Sequence, residues 1–253
     1  MQRWQNGVNV DFIYTISARG KTYREPVLSF LRNNFGNVPL NRIDSLFGFV
    51  DRCTLYGGRI FEEPQLSSDD VLELYAHRIG LRIPLTNHYV KEEEYRSYGS
   101  FLNKYHAEGN SVIILNDKLT HWIRRDFPKY KIESSVIKDT DTYAKIDDAL
   151  SLYDTVVLPM RLNYDLDFLD KIKDKSRITL FANAGCALNC PARICYGSIS
   201  KINKFKGAPF MCSKSLKDRE ILGMVDFDLD QLASLGFRRF KLLRAKPRGV
   251  TAY

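Results

Sequence analysis

The chain has 253 residues, 44% hydrophobic and 27% charged, which suits a globular protein with a sizeable core, as one large domain or two small ones. No apolar run approaches the ~20 residues that cross a bilayer, and the first residues, Met1-Gln-Arg-Trp-Gln-Asn-Gly7, lack the apolar segment of a signal peptide, so a cytoplasmic protein without a membrane partner is expected. The net charge of +8 points to an anionic partner, a nucleic acid or a small acid; a merely basic surface gives the same sum, and no long Lys/Arg block occurs.

A repeated unit runs along the chain: a short β-branched apolar run, a polar turn, then an amphipathic segment. The first predicted strand is Val8 to Ile16, followed by a helix around Tyr23 to Asn33 whose regular part comes after Pro26. Arg42 to Val50 is the second strand. The turn-rich Tyr56-Gly57-Gly58-Arg59 follows, and Ser67 with Asp70 three residues on resembles a capping box that opens a helix. Leu81 to Thr86 is the third strand. Glu92 to Glu94 suit the first turn of the next helix, with Tyr95, Tyr98, Leu102 and Tyr105 as its buried stripe.

Ser111 to Leu115 forms the fourth strand, and the helix carrying His121, Trp122 and Arg125 stops before Pro128. Tyr130 to Val136 is the fifth strand, with Tyr143, Ile146, Ala149 and Leu150 on a helix face behind it. Thr155 to Met160 is the sixth, followed by a helix lined with Leu166, Leu169 and Ile172. Arg177 to Ala182 is the seventh. A helix from about Asp228 to Leu235 leads into the eighth, Phe237 to Leu243. Eight strands alternating with helices in a chain of this length predict an α/β fold, a single-domain (β/α)8 TIM-like barrel over residues 1–253; an open doubly wound sheet is the other arrangement with this pattern. No linker divides the chain.

The strongest chemical bias lies in a cysteine-rich loop at 183–212, which begins where the seventh strand ends. It holds Cys186, Cys190, Cys195 and Cys212, separated by gaps of three, four and sixteen residues. Thiolates select zinc, copper(I) or iron–sulfur clusters. Structural zinc usually draws on pairs spaced C-x2-C or C-x4-C, and an iron–sulfur cluster tolerates the irregular gaps here better, so a cluster leads, with zinc and unliganded thiols as alternatives. The fifth cysteine, Cys53, follows the second strand and is the alternative fourth ligand.

Active sites of such barrels form at the C-terminal ends of the strands. That rule gathers Arg59, Asn87, Asn116, Asp117, Ser134, Ser135, Arg161, Asn163 and Asn183 around one mouth, with Arg193 in the cysteine loop beside them. Amides, hydroxyls and arginines suit an oxygen-rich anion better than acid–base hydrolysis, although Asn and Asp at strand ends also serve as helix caps and turn formers. His77, His106 and His121 fall in predicted helices, which leaves His88 as the one histidine near the mouth. No nucleophile elbow, phosphate loop or HExxH pattern stands in a fitting context. In the basic last strand, Lys241 must find a partner or reach water, either by pointing into the barrel toward an acid or by snorkelling from a distorted strand.

The segment Asn183-Ala-Gly-Cys-Ala-Leu-Asn-Cys-Pro-Ala-Arg193 resembles the cysteine segment of barrels related to peptidase family U-32. Cys212, Asp228-Leu229, Phe240-Lys241-Leu242, Ser45-Leu-Phe-Gly48 and Gly57-Gly58-Arg59 are similar to flanking segments there. The likeness touches both ends of the chain and is patchy between. Ala184 stands where the family has Glu, Arg244-Ala245 where it has Gly-Arg, and the extra C-terminal domain of the larger RNA-modifying members has no counterpart. The resemblance implies a 4Fe–4S cluster on Cys186, Cys190 and Cys212, with Cys195 the natural fourth ligand. It also implies oxygen-independent hydroxylation, of RNA pyrimidines or a quinone precursor, with prephenate as an oxygen donor. From the strand-end rule and the converging positive charge, Arg59, Asn87, Asn116, Arg161, Asn183, Arg193 and Lys241 are the expected substrate-binding residues. Two other classes stay open: a non-catalytic cluster- or zinc-binding subunit of a hetero-oligomer, and a collagenase-like peptidase, for which no nucleophile–base pair can be named.

Overall fold

Eight parallel strands close into a barrel whose order in space is their order in sequence, β8 returning to pair with β1. The computed structural model describes residues 12–190, 192–215 and 225–243; the expected start of the first strand at Val8, Pro191 of the cysteine loop and Arg244-Ala245 lie outside them. The strands are β1 (Ile13–Ser17), β2 (Ile43–Phe47), β3 (Gly80–Leu85), β4 (Ser111–Ile114), β5 (Lys131–Ser134), β6 (Thr155–Val157), β7 (Ile178–Phe181) and β8 (Arg239–Leu242). This is the (β/α)8 architecture.

The helices are α1 (Val27–Phe35), α2 (Ser68–Ala76), α3 (Glu92–Ser97), α4 (Gly99–Lys104), α5 (Asp117–Asp126), α6 (Tyr143–Leu152), α7 (Leu166–Asp170), α8 (Ile194–Lys204) and α9 (Leu229–Ser234). The capping box of α2 is present: the Ser67 hydroxyl accepts from the Asp70 amide at 3.0 Å, and the Asp70 carboxylate accepts from the Ser67 amide at 2.9 Å. The helix expected around 23–33 is regular from Val27, directly after Pro26, as the proline dictates; Asp70 Oδ1 takes the otherwise orphaned Val27 N–H at 2.8 Å. One helix departs from expectation. The stripe from Tyr95 to Tyr105 is split at Tyr98, whose backbone (φ −94°, ψ 12°) leaves the helix and whose hydroxyl accepts from the Thr54 amide. Tyr95, Leu102 and Tyr105 are buried nonetheless. No described helix is long and apolar enough to cross a membrane.

Alternation along each strand creates two environments. One set, with Ile16, Leu46, Leu81, Ile83, Val112, Ile114 and Leu180, is fully buried in one apolar cluster with helix residues such as Val27, Leu31, Leu74 and Leu119. Burying each such side chain contributes about 1.5–3 kcal/mol. The other set, Thr15, Ser45, Arg82, Ser111, Glu133, Thr179 and Lys241, is buried yet polar. Arg82 on β3 donates to Glu133 on β5, and Lys241 on β8 donates to Glu133. Those strands are not neighbours, so the contacts pass through the barrel interior. Lys241 therefore points inward to an acid. Barrel interiors are usually filled with Val, Ile and Leu; this one carries a layer of charge and hydroxyls.

Candidate functional site

At the C-terminal ends of the strands the interior opens into a cavity of ≈ 140 Å³. Its floor is Phe47, Pro84, Ile113, Phe181 and Lys241, each from a different strand. Around the rim stand Arg19, Arg59, Arg193 and Lys214, so with Lys241 five cations line the cavity, with no carboxylate and no histidine among the described residues that line it.

Arg59 reaches the cavity through the two glycines before it. A Cβ on Gly57 would lie 2.3 Å from the Thr86 carbonyl oxygen, so only glycine lets this loop rest on the end of β3; Gly58 follows with φ +73°. The Arg59 guanidinium lies 5.0 Å from the Phe49 ring centroid and 5.7 Å from that of Phe47, and it donates to Gln65 Oε1 at 3.1 Å.

Cys186, Cys190, Cys195 and Cys212 all line the same cavity. Cys186 starts the turn after β7, and Cys190 ends it. Arg193 then takes the left-handed conformation (φ 48°) that redirects the chain into α8, whose first turn carries Cys195. Ser198 on α8 accepts from the Met211 amide at 3.1 Å, which fixes the segment bearing Cys212 against the helix. No disulfide joins these described thiols. Burial pushes Cys190 up, but the Ser213 hydroxyl, the amides of Arg193 and Ala192 and the Lys214 charge outweigh it, leaving this thiol below its ordinary value. Cys195 is pushed up to about 12, by burial first and then by Cys212, Cys186 and Cys190. Among the described residues, no three Cys, His, Asp or Glu side chains form a group that would hold one metal ion. Cys53 sits in the apolar core and does not line the cavity.

Of the other residues expected at the mouth, Arg59, Ser135, Arg193 and Lys241 line the cavity. Asn87, Asn116, Arg161 and Asn183 do not, and each has a structural task. Asn87 is buried, donating to the carbonyls of Thr54, Tyr56 and Ser200 and accepting from the Tyr89 amide. Asn116 caps α5. Arg161 pairs with Asp139 at 2.7 Å and Asp141 at 2.6 Å. Asn183 accepts from the Leu243 amide at 2.9 Å, tying β7 to the end of β8. Asp117 pairs with Lys138, Asn163 donates to the Phe181 carbonyl, and Ser134 is buried off the cavity. His88 bonds Ser200 on α8 at 3.0 Å, and burial lowers its pKa. Arg193, though at the rim, pairs with Asp139 at 2.7 Å.

Four contributors went unnoticed in the sequence: Arg19, Lys214, Arg82 and Glu133. Arg19 stands two residues past β1, beside Gly20, where the strand-end rule reaches it. Arg82 and Glu133 are charges inside strands, the kind of position that demands a buried partner.

Fold and site together define a class: a closed parallel (β/α)8 barrel whose mouth combines clustered thiols with converging cations. The solved structure of the U32 peptidase Mk0906 is similar to this chain over 98% of each, with a TM-score of 0.63 and 13% sequence identity. At that identity the likeness shows a common fold. No protein-family model and no curated protein matches the sequence.

Proposed function

We propose that this barrel binds a small anionic substrate at its mouth and modifies it beside a 4Fe–4S cluster held by Cys186, Cys190, Cys195 and Cys212. The observation that carries the reading is the make-up of one cavity, in which four thiols and five cations meet. The donor set suits a cluster, since thiolates are its usual ligands and each binds its own iron, so the sulfurs surround a volume. A structural zinc would need them at about 2.3 Å from a single centre, and the described side chains offer no such group. A bound cluster would supply one-electron chemistry at iron.

The chain's own residues supply binding and orientation. Arg19 and Arg59 present guanidiniums that match a carboxylate bidentately, and Lys241 adds a point charge below them. Arg193 is engaged by Asp139, so its part is to shape the thiol loop. The apolar floor keeps the charges in a poorly hydrated setting, where they act more strongly than in water. Oxygen-independent hydroxylation is the reaction class that the resemblance favours, with a prephenate-like dicarboxylate as oxygen donor and a small acid or RNA-linked base as acceptor. A peptidase needs a nucleophile beside a base; the lining has thiols and hydroxyls but no His, Asp or Glu among the described residues.

Protein purified without oxygen should be brown and contain iron and labile sulfide; one zinc per chain without sulfide would overturn the cluster. Prephenate should bind the loaded protein, and Arg59→Ala should weaken it about tenfold to a hundredfold, the loss of one charge-assisted contact of roughly 1.5–3 kcal/mol. A cluster without binding, or equal affinity in the variant, would leave a structural, partner-subunit role.

A further inference from the structure

We infer that Glu133 and Arg82 are positioning residues that hold Lys241 as a fixed cation at the cavity floor, where its ammonium receives the buried end of the anionic substrate. This deepens the anionic-substrate reading and rests on it.

The Lys241 side chain is 7% exposed and lines the cavity. Its Nζ donates to Glu133 Oε1 at 3.0 Å and lies 4.5 Å from the Phe47 ring centroid. An ammonium has three N–H donors, and Glu133 is its one hydrogen-bond acceptor among the described residues. A buried charge with donors left over calls for a further acceptor, and the open side here is the cavity. A carboxylate or phosphate oxygen on the floor would complete its shell.

Glu133 is 1% exposed, and its second oxygen accepts from Arg82. Arg82 also donates to Ser111 Oγ at 2.8 Å and to Asp44 Oδ2 at 2.9 Å, and Asp44 is 37% exposed at the start of β2. A chain of alternating sign, Asp44–Arg82–Glu133–Lys241, thus crosses the barrel and presents its positive end to the cavity. Guanidinium does not deprotonate in proteins, so the chain fixes charge and carries no proton. A well-packed apolar layer would be at least as stable as a buried ionic one, so stability alone does not account for it. The groups facing Lys241 are Glu133 from β5, Arg82 from β3, the Phe47 ring from β2 and, across the cavity, Arg59. Glu133 and the Phe47 ring oppose the loss of its proton; burial and the two arginines favour that loss.

The test reads Lys241 twice. Its titration midpoint is followed in ligand-free protein by NMR of the lysine side-chain amines, assigned with Lys241→Gln, and prephenate affinity is measured between about pH 6 and pH 9. Lys241→Gln should lose about tenfold to a hundredfold in affinity at every pH. Glu133→Gln should lower the midpoint, keep near wild-type affinity at the acid end and lose it at the alkaline end. Arg82→Gln, which removes a like charge, should raise the midpoint, and it serves if Glu133→Gln does not fold. An unchanged midpoint in these variants overturns the positioning role, as does a pH-independent loss in Glu133→Gln. If wild type binds no prephenate, the substrate reading fails, while the midpoint still reports on Glu133 and Arg82.

Discussion

Arg193 offers a test of how the thiol loop is held. It lies between Cys190 and Cys195 with φ 48° and ψ 24°, immediately before α8. A non-glycine residue in that conformation costs about 1–2 kcal/mol. Its ion pair with Asp139 is partly exposed, at 23% and 34%, so the pair contributes roughly 0–1 kcal/mol after solvent screening. Arg193→Ala removes the pair and keeps the strain, and should lower the melting temperature by at most about 2–4 °C for a chain of this size. Arg193→Gly removes both. The relief of about 1–2 kcal/mol exceeds the extra unfolded-chain entropy of glycine, about 0.4–1 kcal/mol, so the glycine variant should be more stable than the alanine variant by up to about 1 kcal/mol. Thermal unfolding followed by circular dichroism ranks the three proteins. Maleimide labelling of the cavity thiols reports loop loosening, which should accelerate in both variants as the clasp to Asp139 is lost. A glycine variant less stable than the alanine variant would refute the strain argument, and unchanged labelling would refute the clasp.

Gly57→Ala forces a Cβ to 2.3 Å from the Thr86 carbonyl oxygen, so it should cost about 1–3 kcal/mol in urea unfolding and weaken prephenate binding by displacing Arg59. Glu133 is held below the ordinary glutamate value: burial raises it, but Arg82 and Lys241 together outweigh that. Its contribution to stability is complete above the unfolded value of about 4.3 and is lost as pH falls through the lower folded value, so wild type should lose more stability than Glu133→Gln between about pH 6 and pH 3; parallel curves would contradict the assignment. Cys53→Ala should leave iron content unchanged, since Cys53 does not line the cavity, whereas Cys195→Ala should lower it. Asn203→Ala should reduce both cluster retention and prephenate affinity, while Arg59→Ala reduces affinity alone; intact iron content in Asn203→Ala would show that the two sides of the cavity are independent.

The barrel was legible because its strands are short β-branched runs spaced by amphipathic segments, a pattern that survives errors of a few residues at each end. An element was misread where a local residue overrode periodicity, as Tyr98 did between α3 and α4. The thiol side of the site was legible because cysteines are rare and clustered. The cation side was legible only in part. The strand-end rule gives the neighbourhood of a residue but not the direction of its side chain, and it therefore gathered Arg59 with Arg161, which faces Asp139 and Asp141 instead. Arg82 and Glu133 escaped because nothing in the sequence pairs a charge in one strand with a charge in another. Only the closed sheet shows that β3, β5 and β8 point these side chains at one another.

One asparagine that the strand-end rule placed at the mouth, Asn87, and one that the sequence reading passed over, Asn203, tie the walls of the cavity together. Asn87, at the end of β3, donates to the carbonyls of Tyr56 in the β2 loop and Ser200 on α8. Asn203, on the next turn of α8, donates to the carbonyls of Tyr56 and Arg59 and accepts from the Phe61 amide at 2.8 Å. Both are buried, where an unmet backbone group costs about 1–3 kcal/mol, so these amides satisfy a loop that has no sheet or helix of its own. The helix that carries Cys195 is thereby docked on the loop that carries Arg59. Neutral amides suit this work because they both donate and accept without bringing a charge into the interior. The thiol wall and the cation wall of the cavity are therefore one connected unit, and a change in the seating of α8 moves Cys195 and Arg59 together.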